Sequence, residues 1–127
     1  MLSKYIDNPL LINGLKFDMR IYVLVTNVEP LRIYIYNEGL VRFASEQYNT
    51  DSVKSNVYAH LTNYSINKKS ENFVQNNKAS ERDFGHKWSI SALSHHLSKM
   101  GINMEMVWNK IYDAILKSFI SIEHHVY

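Results

Sequence analysis

The 127-residue sequence contains no cysteine, only four glycines and two prolines, and no long hydrophobic run. The absence of cysteine excludes a disulfide framework, thiolate metal sites and a cysteine nucleophile, and it favours a reducing compartment such as the cytosol. The longest apolar run, residues 21–25, is far shorter than the roughly 20 residues that a membrane helix needs. The N-terminus also lacks the apolar region of a signal peptide. We therefore expect no membrane partner.

The charge balance is nearly even, because 14 lysines and arginines face 12 aspartates and glutamates, a formal net charge of +2. So small an excess creates no strong positive field, and we expect no nucleic-acid partner. The 46% hydrophobic content is sufficient for a packed core. The chain has the size of one small domain, or of a piece of a larger one.

The first half of the chain has strand-like patterns. Residues 21–26 and 31–36 are rich in isoleucine, valine and tyrosine, and the turn residues at 27–30 predict a β-hairpin. A second turn is expected at residues 37–39, followed by a third strand over 40–44 in which Arg42 faces away from Val41 and Phe43. Residues 45–56 and 65–82 are polar and without a period, and we predict loops there.

The C-terminal third changes to a helical period. Ile90, Leu93, Leu97 and Met100 lie three or four residues apart, Ser89 is suited to the N-cap, and Gly101 to the helix end. A second apolar stripe follows and predicts a long helix: Met104, Val107, Trp108, Ile111, Ile115, Phe119, Ile122 and Val126. This stripe reaches the end of the chain without a stop signal, so we expect a truncated chain, although a terminal helix that frays would have the same pattern.

Charged residues alternate with apolar ones over residues 16–20. In a strand, Lys16, Asp18 and Arg20 project from one face and Phe17 and Met19 from the other. The run that follows, residues 21–25, is typical of a strand buried on both faces. From these residues alone, an exposed strand end with a salt bridge and a ligand-binding surface remain equally good interpretations.

The six histidines do not predict a metal site. Adjacent residues on a helix point about 100 degrees apart, so the pairs at 95–96 and 124–125 cannot easily share an ion, and no metalloprotease-like spacing recurs. We predict solvated histidines and no metal ligands within this chain. The Walker loop, the Rossmann glycine fingerprint and the nucleophile elbow are absent from the sequence as well.

A polar set remains on separate elements. It consists of Lys16, Asp18 and Arg20, then Arg42, then residues 62–65. A β-sheet could gather these side chains on one surface, where cations suit phosphate or carboxylate ligands. Thr62 and Asn63 could bond a ribose or a phosphate of a magnesium-bound nucleotide.

Five ordered blocks now identify a resemblance. Residues 5–12, 16–20, 30–34, 38–44 and 60–68 read YIDNPLLI, KFDMR, PLRIY, EGLVRFA and HLTNYSINK. In this order they resemble the tubulin tyrosine ligase-like family, and the similarity continues through residues 87–89 and the long helix. The resemblance implies an ATP-grasp ligase, in which ATP lies between two α/β lobes and an amino acid is joined to a carboxylate of a tubulin tail or another acidic protein.

The resemblance also implies roles for individual residues. Those expected to bind the nucleotide are Lys4, Tyr5 and Ile6 against adenine, Lys16 and Asp18 near phosphate and ribose, and Thr62 and Asn63. Arg20 and Arg42 are expected to be catalytic, stabilising an acyl phosphate and holding carboxylates. Those expected to contact the incoming glutamate are Arg42, Tyr64, Ser65 and Lys87, with Tyr64 and Ser65 favouring the glutamylase branch.

The implied reaction starts when an acceptor carboxylate attacks the γ-phosphate of ATP and ends when free glutamate attacks the acyl phosphate. Magnesium is required, but the ligands of the family would follow residue 127. We therefore expect residues 1–127 to form a partial ATP-grasp domain that lacks the N-terminal lobe and the metal-binding strands, inactive alone. The expected fold class is α/β (α+β), a mainly antiparallel sheet with a β-hairpin and two C-terminal helices.

Several alternatives remain open. A non-catalytic tubulin-binding module, a pseudoenzyme, a tyrosine or glycine ligase, and a generic interaction domain would share parts of this pattern. The sequence does not distinguish glutamate from glycine or tyrosine, initiation from elongation, or α- from β-tubulin. The family resemblance implies a place in the cytoplasm on microtubules, with the cilium or basal body as narrower locations.

Overall fold

The computed structural model describes residues 4–52, 55–75 and 85–122. Its regular elements are β1 (Leu11–Ile12), β2 (Leu15–Val28), β3 (Leu31–Phe43), a 3₁₀ turn (Thr50–Ser52), α1 (Val57–His60), α2 (Tyr64–Asn67), β4 (Lys87–Ser89), α3 (Ile90–Lys99) and α4 (Met104–Ile120). The strands form one sheet in the order β1-β2-β3-β4, and every neighbouring pair is antiparallel. The predicted α+β class with an antiparallel sheet and two C-terminal helices is confirmed, and it is consistent with part of an ATP-grasp lobe.

The predicted hairpin is present, but its strands are longer than the sequence pattern indicated. β2 continues to Val28, so Glu29 and Pro30 alone form the turn before Leu31. The turn predicted at residues 37–39 was wrong, because β3 runs through it as one strand. The extra residues of β3 form a bulge instead.

The bulge follows from the register of the hairpin. Ile21 pairs with Gly39 and Val23 pairs with Ile35, so three residues of β3 face the single residue Tyr22 of β2. Glycine suits this position, since a Cβ atom on Gly39 would lie 2.4 Å from the backbone oxygen of Arg20. The polar and glycine residues at 37–39 therefore indicate a bulge rather than a chain reversal.

Strand alternation separates an apolar face from a polar one near the bulge. Val41 and Phe43 are buried on the apolar face, where Phe17 and Met19 of β2 also pack. Arg42 lies on the opposite face, as predicted. Helix α3 covers the apolar face and completes the core with its own buried side chains, which are Ile90, Leu93 and Leu97.

Towards the hairpin turn, the sheet has less cover. Leu24 is 61% exposed and Tyr22 is 47% exposed, so the prediction that residues 21–25 are buried on both faces was wrong. Their neighbours Ile21, Val23 and Val25 are half-buried. A continuous apolar run does not by itself distinguish a strand that is buried on both sides from one with an exposed face.

The helices partly match the sequence pattern. Ser89 accepts a hydrogen bond from the N–H of Ala92 as the N-cap of α3, and Gly101 follows that helix with a φ of 79°, as predicted. Helix α4 ends at Ile120, so the expectation that it continues to Val126 was wrong for residues 121 and 122, which form a turn. Residues 123–127 lie outside the described chain. The first predicted loop, residues 45–56, contains the 3₁₀ turn, and α2 overlaps the start of the second, residues 65–82, while α1 lies between the two. Residues 53–54 and 76–84 lie outside the described chain. Among the described helices, none is long and apolar enough to cross a membrane.

Glu38, in the bulge, joins the sheet to α3. Its Oε1 atom accepts hydrogen bonds from the backbone N–H groups of Ile90 (2.7 Å) and Ser91 (3.2 Å), at the N-terminus of the helix. It also accepts one from Gly39 (3.0 Å). The negative charge thus lies where the first N–H groups and the helix dipole favour an anion.

The charge of Glu38 should make the stability of the fold depend on pH. Partial burial acts to raise the pKa of the Glu38 carboxyl group, but the hydrogen bonds from Ser91, Gly39 and Ile90 outweigh it, and the pKa lies below the ordinary value of 4.5. Because the folded pKa is lowered, the stabilisation is present above pH 4.5 and is lost as the pH falls through the folded pKa.

We predict that Glu38→Gln lowers the free energy of unfolding by about 1 kcal/mol at pH 7, since it removes a charged cap but keeps one acceptor. Urea denaturation at pH 7 and near pH 3 would measure this, and the difference from wild type should shrink at the lower pH. Glu29→Gln, in the exposed hairpin turn, is the matched control. An equal loss at both pH values would contradict the role of the charge.

Candidate ligand site on the polar face of the sheet

The centre of the polar face is an ion pair between Asp18 and Arg42, which lie directly opposite each other on β2 and β3. Arg42 Nε donates to Asp18 Oδ1 at 3.0 Å, and a second guanidinium nitrogen donates to Oδ2. The hydrogen bond to Asp18, despite partial burial, raises the pKa of Arg42. The resemblance gave Asp18 to the ribose or to Lys16, whereas in the structure its carboxylate orients Arg42.

A cavity of about 360 Å³ opens beside this pair. Its lining residues are Arg20, Leu40, Arg42, Phe43, Thr62, Tyr64, Asn67, Phe73, Gln75, His86 and Lys87. Five of these residues were predicted site residues, and they come from four separate places in the sequence. The sheet therefore gathers side chains on one surface, as the sequence pattern suggested.

The cavity is lined by both cationic and aromatic side chains. The cations are Arg20, Arg42 and Lys87. Among the rings, Phe73 stacks on His86 with ring centroids 5.4 Å apart and meets Tyr64 edge-on at 5.7 Å. Such a cavity suits a small anion with an apolar stem, because guanidinium and ammonium groups bind carboxylates while the rings exclude water.

The ring of His86 is fixed by the chain opposite. The backbone N–H of Val74 donates to His86 Nδ1 at 2.9 Å, and the backbone N–H of His86 donates to the Val74 carbonyl oxygen at 3.1 Å. Phe73 and His86 were not predicted as site residues. The sequence around them is polar and aperiodic, so no pattern indicated that residues 73–75 and 86–87 would meet.

A second group of polar side chains surrounds Lys16. Lys16 Nζ donates to the Tyr5 hydroxyl at 3.1 Å and to the carbonyl oxygen of His60 at 3.0 Å. The Tyr5 hydroxyl also lies 2.8 Å from His60 Nδ1. This group contains two of the residues expected to bind a nucleotide, and it adds a histidine that was not expected there.

His60 is only 4% exposed, so the prediction of a solvated histidine was wrong at this position. Its Nε2 atom lies 2.9 Å from the carbonyl oxygen of Asn49, and the Tyr48 ring packs against the imidazole with centroids 4.8 Å apart. The sequence pattern gives no sign of this burial, since His60 follows a polar segment without a period. Burial arises from the loop at 48–49, whose position the local sequence does not predict.

The remaining predicted site residues lie at the edges of these two groups. Lys4 and Ile6 are exposed in the segment before β1, with Ile6 at 72%. Asn63 occupies the N-cap position of α2 and Ser65 lies within that helix, both exposed. Neither is among the described residues that line the cavity, although Thr62 and Tyr64 beside them are.

Asn67 is a structural support that the sequence pattern concealed. It is 1% exposed, and its Oδ1 atom accepts hydrogen bonds from the N–H (2.9 Å) and hydroxyl (2.7 Å) of Ser45. Its Nδ2 atom donates to the carbonyl oxygens of Leu61 (2.7 Å) and Asn63 (3.1 Å). Asn67 thereby fixes the segment that carries Thr62 to the end of β3.

The described residues do not provide a magnesium site. No group of three or more histidine, aspartate or glutamate side chains in the described ranges could hold a metal ion. Asp18, the carboxylate at the centre of the polar face, is paired with Arg42. The donor set is cationic and suits anions, so it does not fit a divalent cation.

The whole chain, residues 1–127, matches the tubulin-tyrosine ligase family. The chain belongs to this family, and the resemblance seen in the sequence is confirmed. Similar curated proteins include tubulin polyglutamylase ttll-5 of Caenorhabditis elegans, 47% identical, and tubulin monoglutamylase TTLL4 of Mus musculus, 48% identical. A third is tubulin polyglutamylase TTLL6 of Mus musculus, 45% identical over 92% of this chain.

The matches to ttll-5 and TTLL4 include 99% of this chain but only 18% and 11% of those proteins. For TTLL6 the share is 14%. The chain therefore spans less than a fifth of the length of these curated relatives.

We predict that Asn67→Ala lowers the free energy of unfolding by roughly 2–4 kcal/mol, because it leaves buried partners such as the Leu61 carbonyl without a hydrogen bond. Asn67→Asp keeps the acceptor for Ser45 but loses both donors, so it should also destabilise the fold. Urea denaturation would measure both changes.

The control for this prediction is Asn72→Ala, since Asn72 is exposed in a nearby turn. That change should alter the free energy of unfolding by less than about 0.5 kcal/mol. If Asn67→Ala were as mild as Asn72→Ala, the support given to the Thr62 segment would be refuted.

Proposed function

We propose that this chain is part of an ATP-dependent protein ligase that joins glutamate to glutamate side chains of tubulin. The observation that carries the proposal is the cavity of about 360 Å³ that Arg20, Arg42, Tyr64 and Lys87 line together. Its cations suit the carboxylates of a free amino acid and of an acidic acceptor. The names of the relatives, tubulin polyglutamylase and tubulin monoglutamylase, support this choice of substrate.

The nucleotide would lie beside the second polar group. Lys16 has an ammonium group suited to phosphate, and Tyr5 is next to it with Lys4 and Ile6 on the same segment. Thr62, which lines the cavity, and Asn63 lie between His60 of this group and Tyr64 of the amino-acid site in the sequence, and they would also contact the nucleotide. Asp18 would orient Arg42, and its exposed part would also contact the ribose of the nucleotide.

The proposed chemistry has two steps. An oxygen of the acceptor carboxylate attacks the γ-phosphorus of ATP, and ADP leaves. The amine nitrogen of glutamate then attacks the acyl carbon, losing a proton, while inorganic phosphate leaves and an amide bond forms. Arg20 and Arg42 would offset the negative charge that accumulates as carboxylates and phosphate approach one another.

Arg42 is particularly suited to this task. A guanidinium held by Asp18 through two nitrogens is oriented before any ligand arrives, and such preorganisation lowers the cost of stabilising charge during a reaction. Tyr64 and Lys87 line the same cavity, and with Ser65 beside Tyr64 they would contact the incoming glutamate.

Residues 1–127 would form one part of a larger ATP-grasp domain. The N-terminal lobe and the strands that bind magnesium would come from sequence outside this chain, in line with the small share of each relative that it matches. Magnesium would neutralise phosphate charge in the complete protein. The proposed partners are tubulin tails or other acidic proteins and free glutamate, and the proposed location is the cytoplasmic microtubule cytoskeleton, including the cilium or basal body.

The proposal is tested with the complete protein that contains this chain. We expect mass spectrometry of tubulin tails, after incubation with ATP and one labelled amino acid at a time, to show additions of glutamate rather than glycine or tyrosine. Omission of ATP is the control. Tubulin binding without any ATP-dependent addition would instead favour the non-catalytic module.

Arg42→Ala in the complete protein should reduce glutamate incorporation by at least about 100-fold, the effect of removing a group that stabilises developing charge. ATP affinity should change by less than about threefold, since Arg42 lies on the amino-acid side of the site. Isothermal titration calorimetry and incorporation assays would measure the two quantities.

Arg32→Ala is the matched control, because Arg32 is an exposed arginine on the same strand near the hairpin turn. It should leave incorporation within about twofold of wild type. Unchanged turnover in Arg42→Ala would refute the catalytic role of Arg42.

A further inference from the structure

His60 lies behind the residues proposed to bind the nucleotide, and it has no role in the proposal above. We propose that His60 is a positioning residue, which holds Tyr5 and Lys16 in register through a directed chain of hydrogen bonds. This inference rests on the proposed function, because it assumes that ATP binds against Tyr5 and Lys16. The chain of hydrogen bonds itself can be tested without ATP.

The direction of each hydrogen bond follows from the chemistry of the partners. The carbonyl of Asn49 can only accept, so His60 Nε2, 2.9 Å away, carries the hydrogen. An ammonium group can only donate, so Lys16 donates to the Tyr5 oxygen. A neutral imidazole with its hydrogen on Nε2 has an acceptor at Nδ1, so the Tyr5 hydroxyl donates to Nδ1, 2.8 Å away.

The ring that receives this hydrogen bond is held on several sides. His60 is 4% exposed, and the rings of Tyr48 and Tyr5 lie 4.8 and 6.1 Å from its centroid. The Tyr48 hydroxyl donates to the carbonyl of Asp7 at 2.9 Å. The exposed segment that contains Tyr5 and Asp7 is thus tied at two points to the same support.

The backbone of His60 completes the arrangement. Its carbonyl oxygen accepts the second hydrogen bond of Lys16, at 3.0 Å. Lys16 therefore has two fixed acceptors, one on the Tyr5 side chain and one on the backbone two residues before Thr62. A long lysine side chain loses rotamer entropy when it is ordered, so fixing its ammonium before ATP arrives should favour binding.

The two variants that test this proposal remove one end of the Tyr5–His60 bond each. Tyr5→Phe deletes only a hydroxyl from a side chain that is 41% exposed, so it should not unfold the protein. His60→Gln retains a donor for Asn49 and loses the acceptor at Nδ1, whereas His60→Asn places an acceptor near the position of Nδ1. In the complete protein, we expect the KM for ATP to rise about tenfold in Tyr5→Phe and in His60→Gln.

A positioning role predicts further signatures. The kcat should stay within about twofold of wild type, and His60→Asn should recover part of the affinity for ATP. The KM of the double variant Tyr5→Phe/His60→Gln should be no higher than that of the more impaired single variant, because both changes break the same interaction. His95→Gln, at an exposed histidine of α3, is the control and should match wild type. A loss of kcat at unchanged KM, or additive effects in the double variant, would overturn the proposal.

Nuclear magnetic resonance of protein labelled with ¹⁵N-histidine separates this inference from the proposed function. We expect the His60 ring to have a protonated Nε2 and an unprotonated Nδ1, and Tyr5→Phe to shift the Nδ1 resonance. The opposite tautomer, or an Nδ1 chemical shift that does not change in Tyr5→Phe, would refute the proposed chain of hydrogen bonds. If calorimetry detected no ATP binding to the wild type, the proposed function would fall, and the resonances would still decide whether the chain exists.

Discussion

The pairing of β2 with β3 is the constraint on which the rest of the structure depends. Antiparallel pairing places Asp18 opposite Arg42 and Phe17 opposite Phe43, so one register creates both the ion pair and the adjacent core. A slip by one residue would exchange the two faces and bury the charges. The bulge at residues 36–38 adds a second consequence, since it brings Glu38 to the N-terminus of α3. The core helix and the polar face are therefore positioned by the same strand.

Much of this fold could be predicted from the sequence because its signals are local. Alternation over residues 16–20 and 40–43 predicted which side chains face the core, and Ser89 with Gly101 predicted the ends of α3. The failures have non-local causes. The polar residues at 37–39 resemble a turn, and only the pairing partner shows that they form a bulge. Exposure of Tyr22 and Leu24 likewise depends on what covers the sheet, which periodicity cannot reveal.

The candidate site divides along the same line. The resemblance to a family pointed to Arg20, Arg42, Thr62, Tyr64 and Lys87, which line one cavity. It did not point to His60, Asn67 or His86, because each acts through partners far away in the sequence. Asn67 bonds a residue 22 positions earlier, and His60 bonds one 55 positions earlier. Buried polar residues of this kind are recognised by their hydrogen bonds, and only a folded chain supplies those.

The charges around the cavity indicate what a ligand has to carry. Arg20, Arg42 and Lys87 line it, while Asp18 neutralises Arg42 from the side. Among the described lining residues, Arg20 and Lys87 then remain as cations beside the pair, which suits a ligand that carries carboxylates. Arg42 is only partly available to a ligand, since Asp18 is 37% exposed and competes with any ligand carboxylate for the guanidinium. On the proposed function, a second carboxylate on the incoming amino acid would pair with a second of these cations, which is the electrostatic argument for glutamate over glycine or tyrosine.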